Sequence, residues 1–372
     1  MMMDLSVARR LAPEWLDVIQ SRARVLRHIR FLQPIGRRAL ALEMGITERI
    51  LRGEVDFLKQ QGLITAQAAG MSLTDEGYAL LDEVEPVVAV IEGRAHLSQS
   101  VSRLLGIPEV LVVSGDSDED PRVKDALGYE AAVYLRSVLR PNDVLAVTGG
   151  TTLAAMASQM PDKGEPMPIR VVPARGGLGE TVSAQANTIA SDLAVRLGGT
   201  SIMLHVPDRL SEVTLARLME EPMVRERLAE VRQATVIVHG IGGAMKMARR
   251  RQLDEAEIAQ LERSGAVAEA FGYYFDSVGR TVFTMSTVGL RQDDLRKMRL
   301  VIGVAGGYTK AKAIAAAAKA YRMDVLVTDE GAARALLDAR SSAPDTPDAA
   351  SDIAEEESET RADDNRHSRR KV

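Results

Sequence analysis

The chain has 372 residues, no cysteine, 5 histidines, 46% hydrophobic and only 3% aromatic residues. That length suits two domains, and without cysteine there is no disulfide, thiol nucleophile or cysteine-ligated zinc or iron–sulfur site, which fits a reducing cytoplasm. No stretch approaches the roughly 18 consecutive apolar residues of a membrane span. Residues 1–10 lack the apolar core of a signal peptide, so a soluble, unexported protein is expected.

The formal net charge is −5, of which residues 341–372 supply −4 from nine acidic and five basic side chains. Residues 22–59 instead hold nine Lys or Arg against four Asp or Glu. A compact basic segment in an otherwise balanced molecule points to nucleic acid.

Residues 22–32 read as one helix and 37–44 as a second, followed by a tight turn at Met44-Gly45-Ile46 and a third helix that Thr47 can cap. Ala39, Leu40, Leu42, Gly45, Ile46, Ile50, Leu51, Val55 and Leu58 reproduce the helix-turn-helix pattern, in which glycine permits the turn and apolar residues pin the helices. Thr47, Glu48, Arg49, Arg52 and Lys59 lie off the apolar face, where the N-terminal half of the third helix can enter a major groove. The expected contacts to operator DNA are Arg37, Arg38, Thr47, Arg49, Arg52 and Lys59. Residues 63–65 and 71–74 read as the two strands of a wing and 75–84 as a closing helix. A small basic unit can also serve as a protein-interaction module, but turn, basic helix and wing in this order favour DNA.

Val87, Val90, Leu97, Val101 and Leu104 follow in steps of three and four, interrupted only at Arg94. This predicts a coiled-coil-like seam and a homo-oligomer, a dimer or dimer of dimers.

From residue 110 short β-branched runs alternate with Ala- and Leu-rich helical stretches. Strands are expected at 110–113, 144–148, 169–173, 201–206, 235–239, 300–304 and 325–328, with a hairpin around 273–285. The fold class is α/β: a winged helix-turn-helix over 1–85, a helical linker over 86–106, and a Rossmann-like open parallel sheet over 107–340. Residues 341–372 hold only Ile353 and Val372 as large aliphatics and cannot bury enough to order themselves.

The strand ending at Val147 runs into Thr148-Gly149-Gly150-Thr151-Thr152 and then an Ala-rich helix. Such a turn aims backbone N–H groups and a helix N-terminus at one point, and a phosphate is the expected guest. Glycine-rich turns also follow the strands at 173–180, 239–244 and 304–310. In an open α/β sheet these loops gather in one crevice, bringing Arg175, Arg250 and Lys310 toward Thr151 and Thr152. None spells a Walker loop or a dinucleotide fingerprint, which disfavours ATP and NAD. Three cations beside a helix N-terminus suit a ligand with two phosphates.

An enzyme fused to a DNA-binding domain is the alternative. It needs a positioned acid and base. His205 and His239, the only histidines in the sheet region, have no His-x-x-His or Asp-His cluster beside them, and neither a cofactor nor a metal site is expected.

The chain resembles the SorC/DeoR-type sugar-responsive transcription regulators over residues 1 to about 340. The likeness rests on the winged-helix segment, VTGGTT at 147–152, PARGGLGE at 173–180, Gln185-Ala186-Asn187, Gly240-Ile241-Gly242 and AGGYTKAKAI at 305–314. It implies a repressor whose effector domain is similar to the glucosamine-6-phosphate deaminase and ribose-5-phosphate isomerase fold, and whose effector is fructose 1,6-bisphosphate or a related sugar phosphate. Carried onto matching positions, Gly149, Gly150, Thr151, Thr152 and Lys310 would hold a phosphate. Arg175, Gln185, Arg250 and Glu269 would contact the sugar and the other phosphate. Which of Arg249, Arg250 and Arg251 points inward stays open, and the acidic tail departs from the family pattern.

Overall fold

A computed structural model describes residues 10–161, 165–177, 181–207 and 210–341. The acidic tail and the end of the 173–180 turn lie outside them. The chain up to Leu337 forms one unit and Asp338–Val372 another. No described helix is long and apolar enough to cross a membrane.

The first unit opens with α1 (Pro13–Leu32), α2 (Arg37–Met44) and α3 (Glu48–Gln60). Proline at the start of α1 suits a helix N-terminus, and the helix begins well before residue 22 because Leu16 already packs inward. Gly45 ends α2 in the left-handed region at φ 65°, which only glycine adopts without strain. Thr47 Oγ1 accepts from the Ile50 amide at 3.4 Å and starts α3. The wing strands β1 (Ile64–Gln67) and β2 (Gly70–Leu73) pair antiparallel, and Thr74 caps α4 (Asp75–Ile91). Ile29, Leu40, Leu51, Val55, Leu58, Leu81 and Val88 form the core of this part. Ala39, Leu42 and Ile50, expected to pin the helices, face outward instead: Leu42 is 82% and Ile50 61% exposed.

The continuous seam expected over residues 86–106 does not form. Gly93, in the left-handed region at φ 78°, separates α4 from α5 (Arg94–Leu105). Val88 is buried in the winged-helix core, while Leu97 and Val101 are buried in the core beneath the sheet. Of the seam positions, Leu97, Val101 and Leu104 pack on the sheet core, Val87 and Val90 stay exposed, and Val88, outside the pattern, is the residue that α4 buries there. Arg94, the interruption in the pattern, is the buried joint. It donates to Glu85 at 2.7 Å, to Glu92 at 2.7 Å and to the Val112 carbonyl at 3.1 Å. Arg27 of α1 grips the same two carboxylates at 3.0 and 3.1 Å.

Seven parallel strands follow: β3 (Glu109–Val113), β4 (Val144–Val147), β5 (Arg170–Pro173), β6 (Thr200–Ser201), β7 (Val236–Gly240), β12 (Leu300–Val304) and β13 (Val325–Asp329). Their spatial order is β3-β13-β12-β7-β4-β5-β6. Alternate residues feed opposite faces. Leu145, Val147, Val238, Ile302 and Val327 enter one core, and Val144, Ala146, Ile237, Val301 and Leu326 the other. A two-sided apolar sheet is the expected form for an all-parallel one.

The expected strand at 201–206 is cut to Thr200–Ser201 at the sheet edge. Beyond it the buried Asn187 amide takes the Leu204 N–H at 2.9 Å and the Leu204 carbonyl at 3.2 Å, standing in for a neighbouring strand. A second sheet joins β8 (Gly242–Gly243), β9 (Ala268–Ala270), β10 (Tyr273–Phe275) and β11 (Thr281–Thr284). Its last two strands are the expected hairpin. The winged helix touches α6 (Val123–Val138), where Arg30 donates to Tyr129 Oη at 2.7 Å and Arg122, at the helix start, pairs with Glu43 of α2.

Candidate functional site

The chain passes from β4 outward to β5 and β6, then returns to the other side of β4 as β7. Loops on either side of that reversal diverge and leave a crevice beyond the strand ends. One pocket there is lined by Gly149, Gly150, Thr151, Thr152, Arg175, Gln185, Arg250, Glu269 and Lys310. All the residues expected at the effector site thus share one cavity.

The β4 loop ends in α7 (Thr151–Gln159), whose first amides have no carbonyl one turn back and face the pocket mouth. A Cβ on Gly149 would sit 2.7 Å from the Ala184 carbonyl, so the backbone approaches where no side chain fits. Gly150 adopts φ 133° and donates to the same carbonyl at 2.9 Å. Thr148 Oγ1 accepts from the Gly240 amide at 3.1 Å, which ties the β4 and β7 loops together.

Three ammonium groups face this turn: Lys310 after β12, Lys246 in α9 (Ala244–Arg250), and Lys124 in the first turn of α6. Among the described residues none has a carboxylate within 4 Å. Burial, with repulsion from Lys246 and Lys124, holds the Lys310 ammonium below the usual lysine range against the pull of Asp118 and Asp329. A cluster of unpaired like charges against a helix N-terminus is an electrostatic cradle for an anion. Asp118 sits at its edge, accepting from the Thr309 amide at 2.9 Å and hydroxyl at 2.7 Å. Burial would raise its carboxyl, yet those hydrogen bonds and the neighbouring lysines leave it below the ordinary value.

The opposite wall holds Glu269, buried in β9. Arg251 approaches it at 3.1 Å and Arg175 at 3.5 Å, and the Gly272 amide donates to it at 2.8 Å. Arg251 and the more exposed Arg250 both line the pocket, whereas Arg249 is exposed and does not line it. Gln185 occupies the position before α8 (Ala186–Leu197).

Ser117, Asp118, Lys124, Lys246 and Arg251 line the pocket but were not expected there. A signal existed for the first three. In a parallel sheet the loop after every strand opens on the same side, and the loop after β3 follows a strand that was expected.

Neither histidine of the sheet region contributes. His205 is exposed, and His239 is fully buried against Phe271 and Tyr321 with ring centroids 4.5 and 5.5 Å away. Burial lowers the His239 imidazole from 6.5 to about 4. The unfolded chain therefore binds the extra proton between those values. The stability that His239 confers is intact above pH 6.5 and lost on acidification, by about 3 kcal/mol in full. His239→Leu should flatten the acid limb of a denaturation-against-pH curve between pH 6.5 and 4; an unchanged limb would place the proton uptake elsewhere.

On the DNA side, Arg38, Arg49, Arg52 and Lys59 are exposed, and Thr47 acts as the cap of α3. Glu48 lies among three arginines, 3.5 Å from Arg37, 3.3 Å from Arg38 and 3.9 Å from Arg52. It joins the helix start to α2 and gathers the cations on one side.

Residues 90–338 match the family described as "Putative sugar-binding domain", and residues 18–88 match "CggR N-terminal DNA binding domain". The central glycolytic genes regulator of Priestia megaterium is 45% identical over 335 residues, spanning 90% of this chain and 98% of that protein. The crystal structure of a "putative SorC family transcriptional regulator" from Enterococcus faecalis is 39% identical with a TM-score of 0.61, covering 65% of this chain and 99% of that one. The full-length sorbitol operon regulator SorC from Klebsiella pneumoniae shares the fold at 22% identity and a TM-score of 0.63, over 82% of this chain and 94% of that one. The relatives are DNA-binding transcriptional regulators, which sets aside the isomerase or deaminase alternative. A DNA-binding domain followed by a sugar-binding one makes this chain a member of the SorC family of sugar-responsive transcriptional regulators.

Proposed function

We propose that this regulator represses genes of central glycolysis and that fructose 1,6-bisphosphate weakens its hold on operator DNA. The target genes follow the name of the Priestia megaterium relative. The ligand reading is carried by two cationic sets in one pocket. Lys124, Lys246 and Lys310 stand with the α7 N-terminus, and Arg175, Arg250 and Arg251 with Glu269. A sugar with a phosphate at each end answers both, and the Glu269 carboxylate suits its hydroxyls.

Regulation requires the sugar to bind one state of the protein more tightly than the other. Fluorescence anisotropy at fixed salt, with DNA from upstream of the protein's own gene, should show affinity falling as fructose 1,6-bisphosphate is added, with the sugar recovered intact. Equal sugar affinity for free and DNA-bound protein would sink the proposal, and consumption of the sugar would revive the enzyme reading.

Arg49→Ala and Arg52→Ala should each weaken operator binding several-fold. Where the lost contact was to phosphate, the slope of log affinity against log salt should shrink by about one. Two unaffected variants would remove these side chains from the interface. The proposed dimer or dimer of dimers must use surface other than Leu97 and Val101; Val87 and Val90 remain exposed. Sedimentation with and without DNA tests the assembly.

A further inference from the structure

Folding does not explain the exposed Ile50 side chain at the start of α3. Leu51, Val55 and Leu58 supply the buried stripe of α3, while Ile50 is 61% exposed and makes no part of the core. It belongs to the first turn, the part of a recognition helix that reaches base edges. Its own amide donates to Thr47 Oγ1, so the backbone beneath it is fixed by the cap. Isoleucine is branched at Cβ and restricted in χ1, which presents its methyl groups in one direction.

The surroundings favour DNA as the occupant. Exposed Arg49 and Arg52 flank Ile50 on the same helix. Gly53, one turn later, has nothing within 4 Å of where a Cβ would stand, so a nucleic-acid surface could approach closely. Glu48 is engaged with Arg37, Arg38 and Arg52, which holds the nearest negative charge among cations. The thymine C5 methyl is the apolar feature that base edges offer in the major groove.

We infer that Ile50 reads a thymine methyl in each operator half-site. This rests on the operator-binding reading and, for the repeat over two half-sites, on the proposed dimer, independently of the sugar. The test replaces each operator thymine singly by deoxyuridine, which deletes only the methyl, and measures binding of the full chain by anisotropy at fixed salt. One thymine per half-site should be sensitive, its replacement weakening wild-type binding about five- to tenfold, at the low end of the range for a base contact. Ile50→Ala should weaken binding to the intact operator by a similar factor, become indifferent to that deoxyuridine, and keep wild-type affinity for a scrambled duplex. Ile50→Val, which keeps branched methyls, should retain most of the discrimination. Because the side chain is exposed, Ile50→Ala should unfold at the wild-type temperature.

The inference is overturned if no thymine is methyl-sensitive in the wild type, or if the sensitivity persists undiminished in Ile50→Ala. It is also overturned if Ile50→Ala weakens operator and scrambled DNA equally, which would mark a general or inter-subunit contact. A wild type that binds no duplex with sequence preference would instead overturn operator binding itself.

Discussion

Lys310→Met should lower fructose 1,6-bisphosphate affinity about 100-fold, or roughly 2.7 kcal/mol, as expected for losing a charge-assisted phosphate contact in a partly buried site. The same substitution should raise the unfolding temperature of the unliganded protein. Burial already disfavours the Lys310 ammonium, Lys246 and Lys124 repel it, and Asp118 and Asp329 compensate only in part. Methionine matches the length of the stem and removes that cost. Operator binding without sugar should be unchanged, since Lys310 lies in the effector pocket. Calorimetric titration and thermal denaturation read the two effects separately. Wild-type sugar affinity would take Lys310 out of the site, and a lower unfolding temperature would mean that its charge is stabilising.

The second large effect is expected at the joint between the winged helix and the sheet domain. Arg94→Ala would leave Glu85 and Glu92 sharing only Arg27 and orphan the Val112 carbonyl. Breaking a network that is only partly shielded should cost about 2–3 kcal/mol, below the full penalty for a deeply buried pair. For a chain of this size that lowers the unfolding temperature by about 3–4 °C. Lysine should rescue only partly, because one ammonium cannot reproduce the guanidinium fork that spans three acceptors.

The network also has a pH signature. Burial would raise the Glu92 carboxyl, but Arg27 and Arg94 outweigh it and hold the group below its ordinary 4.5. Its contribution is present above pH 4.5 and lost as the pH falls through the lower folded value. Arg94→Ala should diminish this acid-labile part. An unfolding temperature within about 1 °C of wild type would show that the joint carries little of the stability.

Much of this was legible in local pattern. The Gly45 turn, the Thr47 cap and the wing depend on residues close in sequence, and backbone geometry there is set by steric and hydrogen-bonding rules that act over a few positions. The strand, glycine turn and helix at 144–159 are equally local, which is why the residues at 149–152 could be named in advance. The expected effector residues meet in one pocket because strands that begin on one edge of a parallel sheet must end on the other.

The misreadings share a physical origin. Leu97 and Val101 carry a helical apolar period whether they face a second chain or their own sheet, and period alone does not distinguish these. Ile50 and Leu42 look like core by hydropathy, yet their positions on the helix point them outward. Residues 202–206 have strand composition, but their pairing with β5 ends once the Ile202 amide has bonded the Val171 carbonyl, and the Asn187 amide takes up the backbone groups of Leu204 instead.

By itself the sequence determined the α/β class, the winged helix, the glycine turn after β4 and the chemistry available at each loop, all of which follow from side-chain type and short-range spacing. Tertiary structure alone decided that Arg94 is a buried joint rather than a flaw in a seam, that Lys124 and Lys246 join Lys310, and that Arg251 reaches Glu269. Those facts depend on which strands become neighbours. Strand order is settled by long-range packing of two apolar faces, and nothing in the spacing of residues along the chain records it.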